Sequence, residues 1–132
     1  MLDAEALLLL ARRQGEGFGE VRAALKAAHR LERSVVTPAV VLAELYRGPG
    51  HNAVVDACLS RETGIDVRDT DRSLARLVGG VLAGVGAGSE DLVDAHAVAV
   101  AVEAGGGVVL TGDPDDLQRL SSSFPNVTVV RI

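Results

Sequence analysis

The stretch GGGVVLTGDPDDLQRL, residues 105–120, decides how the fold is interpreted. Its first half is a short apolar run rich in β-branched residues, which is typical of a buried strand. The acids and the apolar residues after Pro114 predict a short helix directly behind that strand. Three carboxylates, those of Asp113, Asp115 and Asp116, therefore stand where a buried strand ends.

The rest of the chain repeats this alternation of strands and helices. Strands are predicted at 34–37, 64–69, 107–111 and 127–132, and helices at 4–13, 18–33, 39–46, 52–60, 71–84, 90–104 and 113–120. In the 39–46 helix, Thr37 is the expected N-cap and Pro38 the first helical residue. Continuous apolar strands joined by crossover helices predict an α/β fold with one parallel sheet flanked by helices on both faces, in three α/β/α layers.

Composition agrees with one domain of this class. The chain has 132 residues, enough for one well-buried core, so we predict a single domain over residues 1–132. Apolar residues make up 48% of the chain but aromatic residues only 2%, which favours small-residue packing of helices against a sheet.

Charge and cysteine content limit the possible functions. The net charge of −5 argues against holding nucleic acid through bulk electrostatics, because such domains usually carry a basic patch. Cys58 is the sole cysteine and is expected to be a small buried residue in a reducing cytoplasm. The apolar segment 77–88 is too short to cross a membrane, and no signal-peptide pattern is visible, so we expect a soluble cytoplasmic protein.

Two acids are predicted at one edge of the sheet. In parallel α/β sheets the functional site lies beyond the carboxyl ends of the strands. Asp113 directly follows the strand at 107–111. Leu2 and Asp3 resemble the last residues of a first strand, so we expect Asp3 to meet Asp113 at this edge.

Two further acids lie on helix faces that are otherwise largely apolar. Glu44 follows Val40 and Val41 by one turn, and Asp94 precedes Ala97 and Val98 by one turn. We expect both carboxylates on buried or half-buried stripes. Clustered carboxylates raise one another's pKa and oppose folding unless a positive charge lies between them.

The source of that positive charge is open at this point. Arg47, one turn after Glu44, is the best-placed side chain and could pair with Glu44. A divalent cation is the simpler answer. Ligands that are all oxygen favour Mg²⁺ or Mn²⁺ over zinc or copper, and such ions activate water for phosphodiester hydrolysis.

Several acidic and imidazole side chains have plainer explanations. Acids in the first turn of a helix are favoured by the helix dipole whatever their function, and this applies to Glu5, Asp91, Asp115 and Asp116. The histidines show no metal-binding spacing, and we assign them surface or core roles.

In order along the chain, LDAEALL, TPAVVLAELYRG, DLVDAHAVAVA and VVLTGDPDDL resemble the acidic motifs of the PIN domain, and especially of VapC-like toxins from prokaryotic toxin–antitoxin pairs. The resemblance covers essentially the whole chain. It identifies four catalytic, metal-binding acids and one auxiliary metal ligand: Asp3, Glu44, Asp94, Asp113 and Asp116. Thr111 matches the hydroxyl residue that commonly precedes the last acid.

The resemblance implies Mg²⁺- or Mn²⁺-dependent endonucleolytic cleavage of RNA, a homodimer and an inhibitory antitoxin partner. RNA would be held through its phosphates, with Arg12, Arg13 and Arg47 as candidates, because there are too few aromatic residues for base stacking. One departure is that only Met1 and Leu2 precede Asp3. We therefore expect either an upstream start or an unusually short first strand.

Two alternatives belong to other functional classes. A non-catalytic PIN-like module would bind a partner protein or RNA and keep the acids as relics. A phosphoryl-transfer domain of receiver or haloacid-phosphatase type fits less well. Asp3-Ala4-Glu5 stands where a phosphatase needs Asp-x-Asp, and the one lysine, Lys26, lies in a helix.

Overall fold

The computed structural model describes residues 1–132, in which helices and strands alternate. The helices are α1 (Ala4–Arg12), α2 (Phe18–Arg30), α3 (Ala39–Leu45), α4 (Pro49–Arg61), α5 (Arg72–Gly84), α6 (Leu92–Glu103) and α7 (Pro114–Leu120). The strands are β1 (Val35–Pro38), β2 (Ile65–Arg68), β3 (Gly107–Thr111) and β4 (Val127–Arg131). A 3-10 turn at Ser89–Asp91 leads into α6. None of the helices has the length and apolarity that a membrane crossing requires.

All strand pairing is parallel. β1 pairs with β2, and β3 pairs with β4, with Val35 opposite Ile65 and Gly107 opposite Val127. Each parallel pair needs a crossover connection, and the helices between the strands supply it. The predicted parallel strands are confirmed.

Leu2 joins the two strand pairs. It forms a parallel bridge with Leu110 of β3, and its N–H donates to the Val36 carbonyl of β1 at 3.0 Å. The buried Thr37 hydroxyl donates to the Leu2 carbonyl at 3.0 Å. The centre of the sheet is therefore only a few residues long, and Asp3 follows it immediately at the start of α1.

Two buried clusters lie on opposite faces of the sheet. Val109 belongs to a cluster formed mainly by α5, α6 and α7. Its neighbour Leu110 belongs to a second cluster formed mainly by α1, α2 and α4. Because successive residues of a strand point to opposite faces, helices cover both faces, and the predicted three-layer α/β/α architecture is confirmed.

The start of α3 differs from the prediction. Thr37 lies in β1 and Pro38 is the N-cap, without a side-chain cap hydrogen bond. The Thr37 hydroxyl is instead used to satisfy the Leu2 carbonyl. A long-range hydrogen bond to a buried backbone group has replaced the local capping bond.

Candidate metal centre

Asp3 is held at the N-terminus of α1. Its Oδ1 accepts a hydrogen bond from the Ala6 N–H at 2.9 Å, so the carboxylate is the side-chain cap of this helix. Burial raises the pKa of Asp3, while hydrogen bonds from Ala6 and the Thr111 hydroxyl oppose this effect. Asp3 directly follows the Leu2 bridge at the centre of the sheet, which agrees with the position predicted for it.

The start of α6 supplies two carboxylates. Asp91 ends the 3-10 turn and is buried, with its side chain 10% exposed. Asp94 is half-buried in the first turn of α6. Asp116, in the first turn of α7, is exposed and faces both of them. One carboxylate oxygen from each of these three residues lies within 4.8 Å of the others.

The charges around Asp94 are almost all negative. The pKa of Asp94 is raised to about 6, first by burial and then by the charges of Asp116, Glu44, Asp3 and Asp91, in that order. Carboxylates of α1, α3, α6 and α7 thus act on one another here. We call Asp3, Glu44, Asp91, Asp94 and Asp116 the acidic cluster.

Glu44 and Asp113 lie differently from the prediction. Glu44 is exposed, because Val41 and Leu42 occupy the packed face of the short helix α3. The expected half-buried position is therefore wrong for Glu44 and correct for Asp94. Asp113 is exposed at the N-cap of α7, where its side chain caps nothing, and its charge is not among those that act on Asp94.

An arginine that the sequence did not single out contacts the acidic cluster. Arg119 Nη2 lies 2.8 Å from Asp91 Oδ2 and 3.5 Å from Asp116 Oδ1. The hydrogen bond to Asp91 raises the pKa of Arg119. Arg47, the expected partner of Glu44, instead donates to the backbone carbonyls of Ala43 and Tyr46. Arg119 therefore partly supplies the positive charge that Arg47 was expected to bring.

The loop between β3 and α7 is held by contacts of Thr111 and Gly112. The buried Thr111 hydroxyl bonds to the Asp113 backbone, accepting from its N–H at 3.0 Å. The Glu5 carboxylate lies so close to Gly112 that a Cβ there would overlap with Glu5 Oε2. Glycine at this position allows Glu5 and the loop to approach each other.

The other candidate side chains lie in ordinary surroundings. His96 is buried, with Nδ1 2.8 Å from the Leu92 carbonyl and Nε2 2.9 Å from the Thr70 hydroxyl. Nδ1 must donate to the carbonyl, so Nε2 accepts from Thr70. Cys58 is fully buried, and burial raises the pKa of its thiol. Both residues have the structural roles that the sequence predicted.

The donor set of the acidic cluster fits a hard divalent cation. All of its candidate ligand atoms are carboxylate oxygens, which Mg²⁺ and Mn²⁺ prefer. Asp3, Glu44 and Asp94 make no ion pair, since the ion pairs of the molecule involve other acids. A group of carboxylates with one arginine as counter-charge retains an excess of negative charge for a metal to neutralise.

Comparisons with known proteins agree with this arrangement. The family model described as PIN domain matches residues 1–122. A crystal structure of VapBC2 from Rickettsia felis, bound to a DNA fragment from their promoter, contains a chain that superposes with a TM-score of 0.67 at 18% identity, covering 100% of this chain and 97% of the other. No curated protein sequence matches the chain. The family match extends over nearly the whole length and includes every residue of the acidic cluster: the protein belongs to the PIN domain family.

Proposed function

We propose that this protein is a divalent-metal-dependent endoribonuclease that hydrolyses RNA phosphodiester bonds. Asp3, Glu44, Asp94 and Asp116 would hold one or two Mg²⁺ or Mn²⁺ ions, with Asp91, whose carboxylate oxygen converges with those of Asp94 and Asp116, as a further ligand. Asp113 stays a predicted ligand at the rim. The observation that carries the proposal is the acidic cluster itself, in which oxygens of Asp91, Asp94 and Asp116 approach within 4.8 Å on a fold of the nuclease-rich PIN family.

The division of labour among the carboxylates follows from their surroundings. A bound divalent ion supplies an activated water and neutralises charge on the departing oxygen. Asp3 is fixed by the Ala6 N–H, so it presents one oxygen in a constant direction. Asp94 is half-buried and has its pKa raised to about 6, so it is largely deprotonated at neutral pH and becomes protonated only as the pH falls below 6. Exposed Glu44 is the group best placed to orient the attacking water.

RNA would be held through its phosphates. Arg12 and Arg13 are exposed at the end of α1, and Arg47 is exposed after α3. None of these three arginines is in an ion pair, although Arg47 donates to backbone carbonyls, so no carboxylate competes with phosphate oxygens for them. The net charge of −5 means that the metal must contribute much of the attraction.

We further propose that the chain is the toxin of a toxin–antitoxin pair, acts as a homodimer and is inhibited by a co-expressed antitoxin. The support is the fold shared with a chain of the VapBC2 structure. Expression should arrest growth, and Asp94→Asn should relieve the arrest. Arrest that persists with the inactive variant would contradict a nuclease-based toxicity.

The test of the nuclease proposal is cleavage of a structured RNA pool by purified protein with Mn²⁺, with Mg²⁺ and with EDTA. Asp94→Asn should abolish cleavage, while Asp115→Asn, an exposed acid in the first turn of α7, should retain it. A matched DNA pool tests the preference for RNA. Absence of both cleavage and metal binding would instead favour the non-catalytic module.

A further inference from the structure

Arg119 has an unusual place among the arginines, because it contacts a buried acid within the acidic cluster. Its Nη2 donates to Asp91 Oδ2 at 2.8 Å and lies 3.5 Å from Asp116 Oδ1. Both acids belong to the group of three whose oxygens converge within 4.8 Å. The guanidinium therefore occupies part of the space around the carboxylates that a cation would use.

The two contacts differ in solvent exposure. The Asp91 side chain is only 10% exposed, while Asp116 is 54% and Arg119 45% exposed. A carboxylate as buried as that of Asp91 needs a charge partner, since an unpaired buried charge is strongly unfavourable. Arg119 is the one side chain that supplies such a partner to Asp91. Because its side chain is 45% exposed, Arg119 lies at the surface, from which the guanidinium can turn towards solvent.

We propose that Arg119 is a built-in counter-cation that competes with the divalent ion for Asp91 and Asp116. The proposal rests on the proposed metal-dependent function and goes beyond it by naming a positioning residue that sets the affinity of the site. Without metal, Arg119 holds the converging carboxylates together. A bound divalent ion would neutralise the same carboxylate oxygens, and the Arg119 guanidinium would then move towards solvent.

The positive charge of Arg119 determines whether its removal should strengthen or weaken Mn²⁺ binding. A positive charge near a divalent ion repels it and also occupies its ligands. Replacing Arg119 by glutamine should therefore tighten Mn²⁺ binding by about tenfold or more. Arg119→Lys keeps the charge and should bind Mn²⁺ much as the unmodified protein does. A role limited to packing would give unchanged or weaker binding in both variants.

The experiment is calorimetric titration of Mn²⁺ into the full chain and into Arg119→Gln, Arg119→Lys and Arg76→Gln. Arg76 is exposed on α5 and in no ion pair, so its variant controls for net charge and should change binding less than about twofold. Tighter binding by Arg119→Gln alone supports the proposal. If the unmodified protein binds Mn²⁺ and Arg119→Gln binds it equally well or more weakly, the proposal for Arg119 is overturned, while the metal site itself is supported. Absence of binding in every form overturns both.

A measurement on the unmodified protein covers the case in which Arg119→Gln does not fold. NMR signals of the Arg119 Nη protons should be those of a guanidinium held by carboxylates before Mg²⁺ is added. They should change to those of a freely rotating group when the site is saturated. Arg119 signals that stay unchanged at saturating Mg²⁺ would overturn the proposal.

Discussion

Two groups of carboxylates in this molecule differ in how their charge is balanced. Asp71 and Glu103 both contact the Arg68 guanidinium, with Glu103 Oε1 2.8 Å and Asp71 Oδ1 3.3 Å from Arg68 Nη2. The Arg68 hydrogen bond lowers the pKa of Glu103, and a hydrogen bond from the Leu74 N–H, followed by that from Arg68, lowers the pKa of Asp71. Asp94 is surrounded by acids instead, and burial together with their charges raises its pKa to about 6.

The comparison separates a structural ion pair from a candidate ligand group. Asp71 also caps α5 through the Leu74 N–H at 2.8 Å, so the Arg68 group is satisfied within the protein. The acidic cluster has an excess of negative charge that folding alone does not explain, because such an excess is unfavourable. Because this charge is unfavourable for stability and lies directly after the Leu2 bridge at the centre of the sheet, it is best explained by the binding of a cation.

The largest expected effect is on catalysis. Asp94→Asn should lower the rate of RNA cleavage by roughly a thousandfold, since a metal contributes several kcal/mol and each 1.4 kcal/mol is about tenfold in rate. Glu103→Gln removes an equal charge from the Arg68 group and should leave the rate unchanged. Single-turnover kinetics at saturating Mn²⁺ measures both. Equal losses in the two variants would mean that the two groups do not differ as described.

Metal affinity should depend on pH through Asp94. A protonated carboxyl cannot serve as an anionic ligand, so the Mn²⁺ dissociation constant should increase by about tenfold per pH unit below pH 6. It should be nearly constant above pH 7. Titrations between pH 5 and 8 measure this change. A dissociation constant that stays flat down to pH 5 would show that Asp94 is not a ligand.

Without metal, Asp94→Asn should stabilise the protein at neutral pH. The folded-state pKa is raised from 3.8 to about 6, so the folded state binds the proton more tightly, and the stability that this gives below pH 4 is lost as the pH rises through 6. After a discount for solvent screening, Asp94→Asn should raise the free energy of unfolding by about 1 kcal/mol at pH 7.5, which corresponds to roughly 3 °C in Tm. Thermal unfolding in EDTA at pH 7.5 and 4 measures it. If Asp94→Asn is less stable than the unmodified protein at pH 7.5, the charge of Asp94 is not unfavourable in the folded state.

The smallest effect is expected at the Arg68 group. Glu103→Gln should destabilise the fold by a few tenths of a kcal/mol, because ion pairs with exposed partners contribute little and are screened by salt. The pKa of Glu103 is lowered, so its contribution is present at neutral pH and is lost as the pH falls. Urea unfolding at low and high salt is the measurement. A loss above about 2 kcal/mol would show that this group is more than an exposed pair.

Local sequence patterns predicted most of the fold. The β-branched run in residues 107–111 and the helix predicted at 71–84 depend on neighbours in the chain, and both lie where the pattern placed them, to within one residue. The Arg119 contact depends instead on how α7 packs against the turn before α6, 28 residues away. Arg47 is one turn from Glu44 in the sequence, but the folded structure directs its guanidinium to the backbone carbonyls of Ala43 and Tyr46.

The candidate site was predictable in its composition but not in its exact membership. Acids following a strand or interrupting an apolar face can be recognised in one sequence, as for Asp3 and Asp94. Asp91 could be explained equally well as a helix-dipole acid, and only the tertiary structure places it with Asp94 and Asp116. For Glu44 the sequence predicts a half-buried acid and the structure shows an exposed one. A helix of seven residues can bury its apolar side while the acid stays exposed.

The most direct test of the central claim is anomalous diffraction from crystals of the protein grown or soaked with Mn²⁺. We expect an anomalous peak for manganese within bonding distance of carboxylate oxygens of Asp94 and Asp116, and no peak at Asp71 and Glu103 of the Arg68 group. Crystals of Asp94→Asn should lose the peak. No peak in the acidic cluster at saturating Mn²⁺, or a peak at Asp71 and Glu103, would contradict the claim that its excess charge is there for a metal.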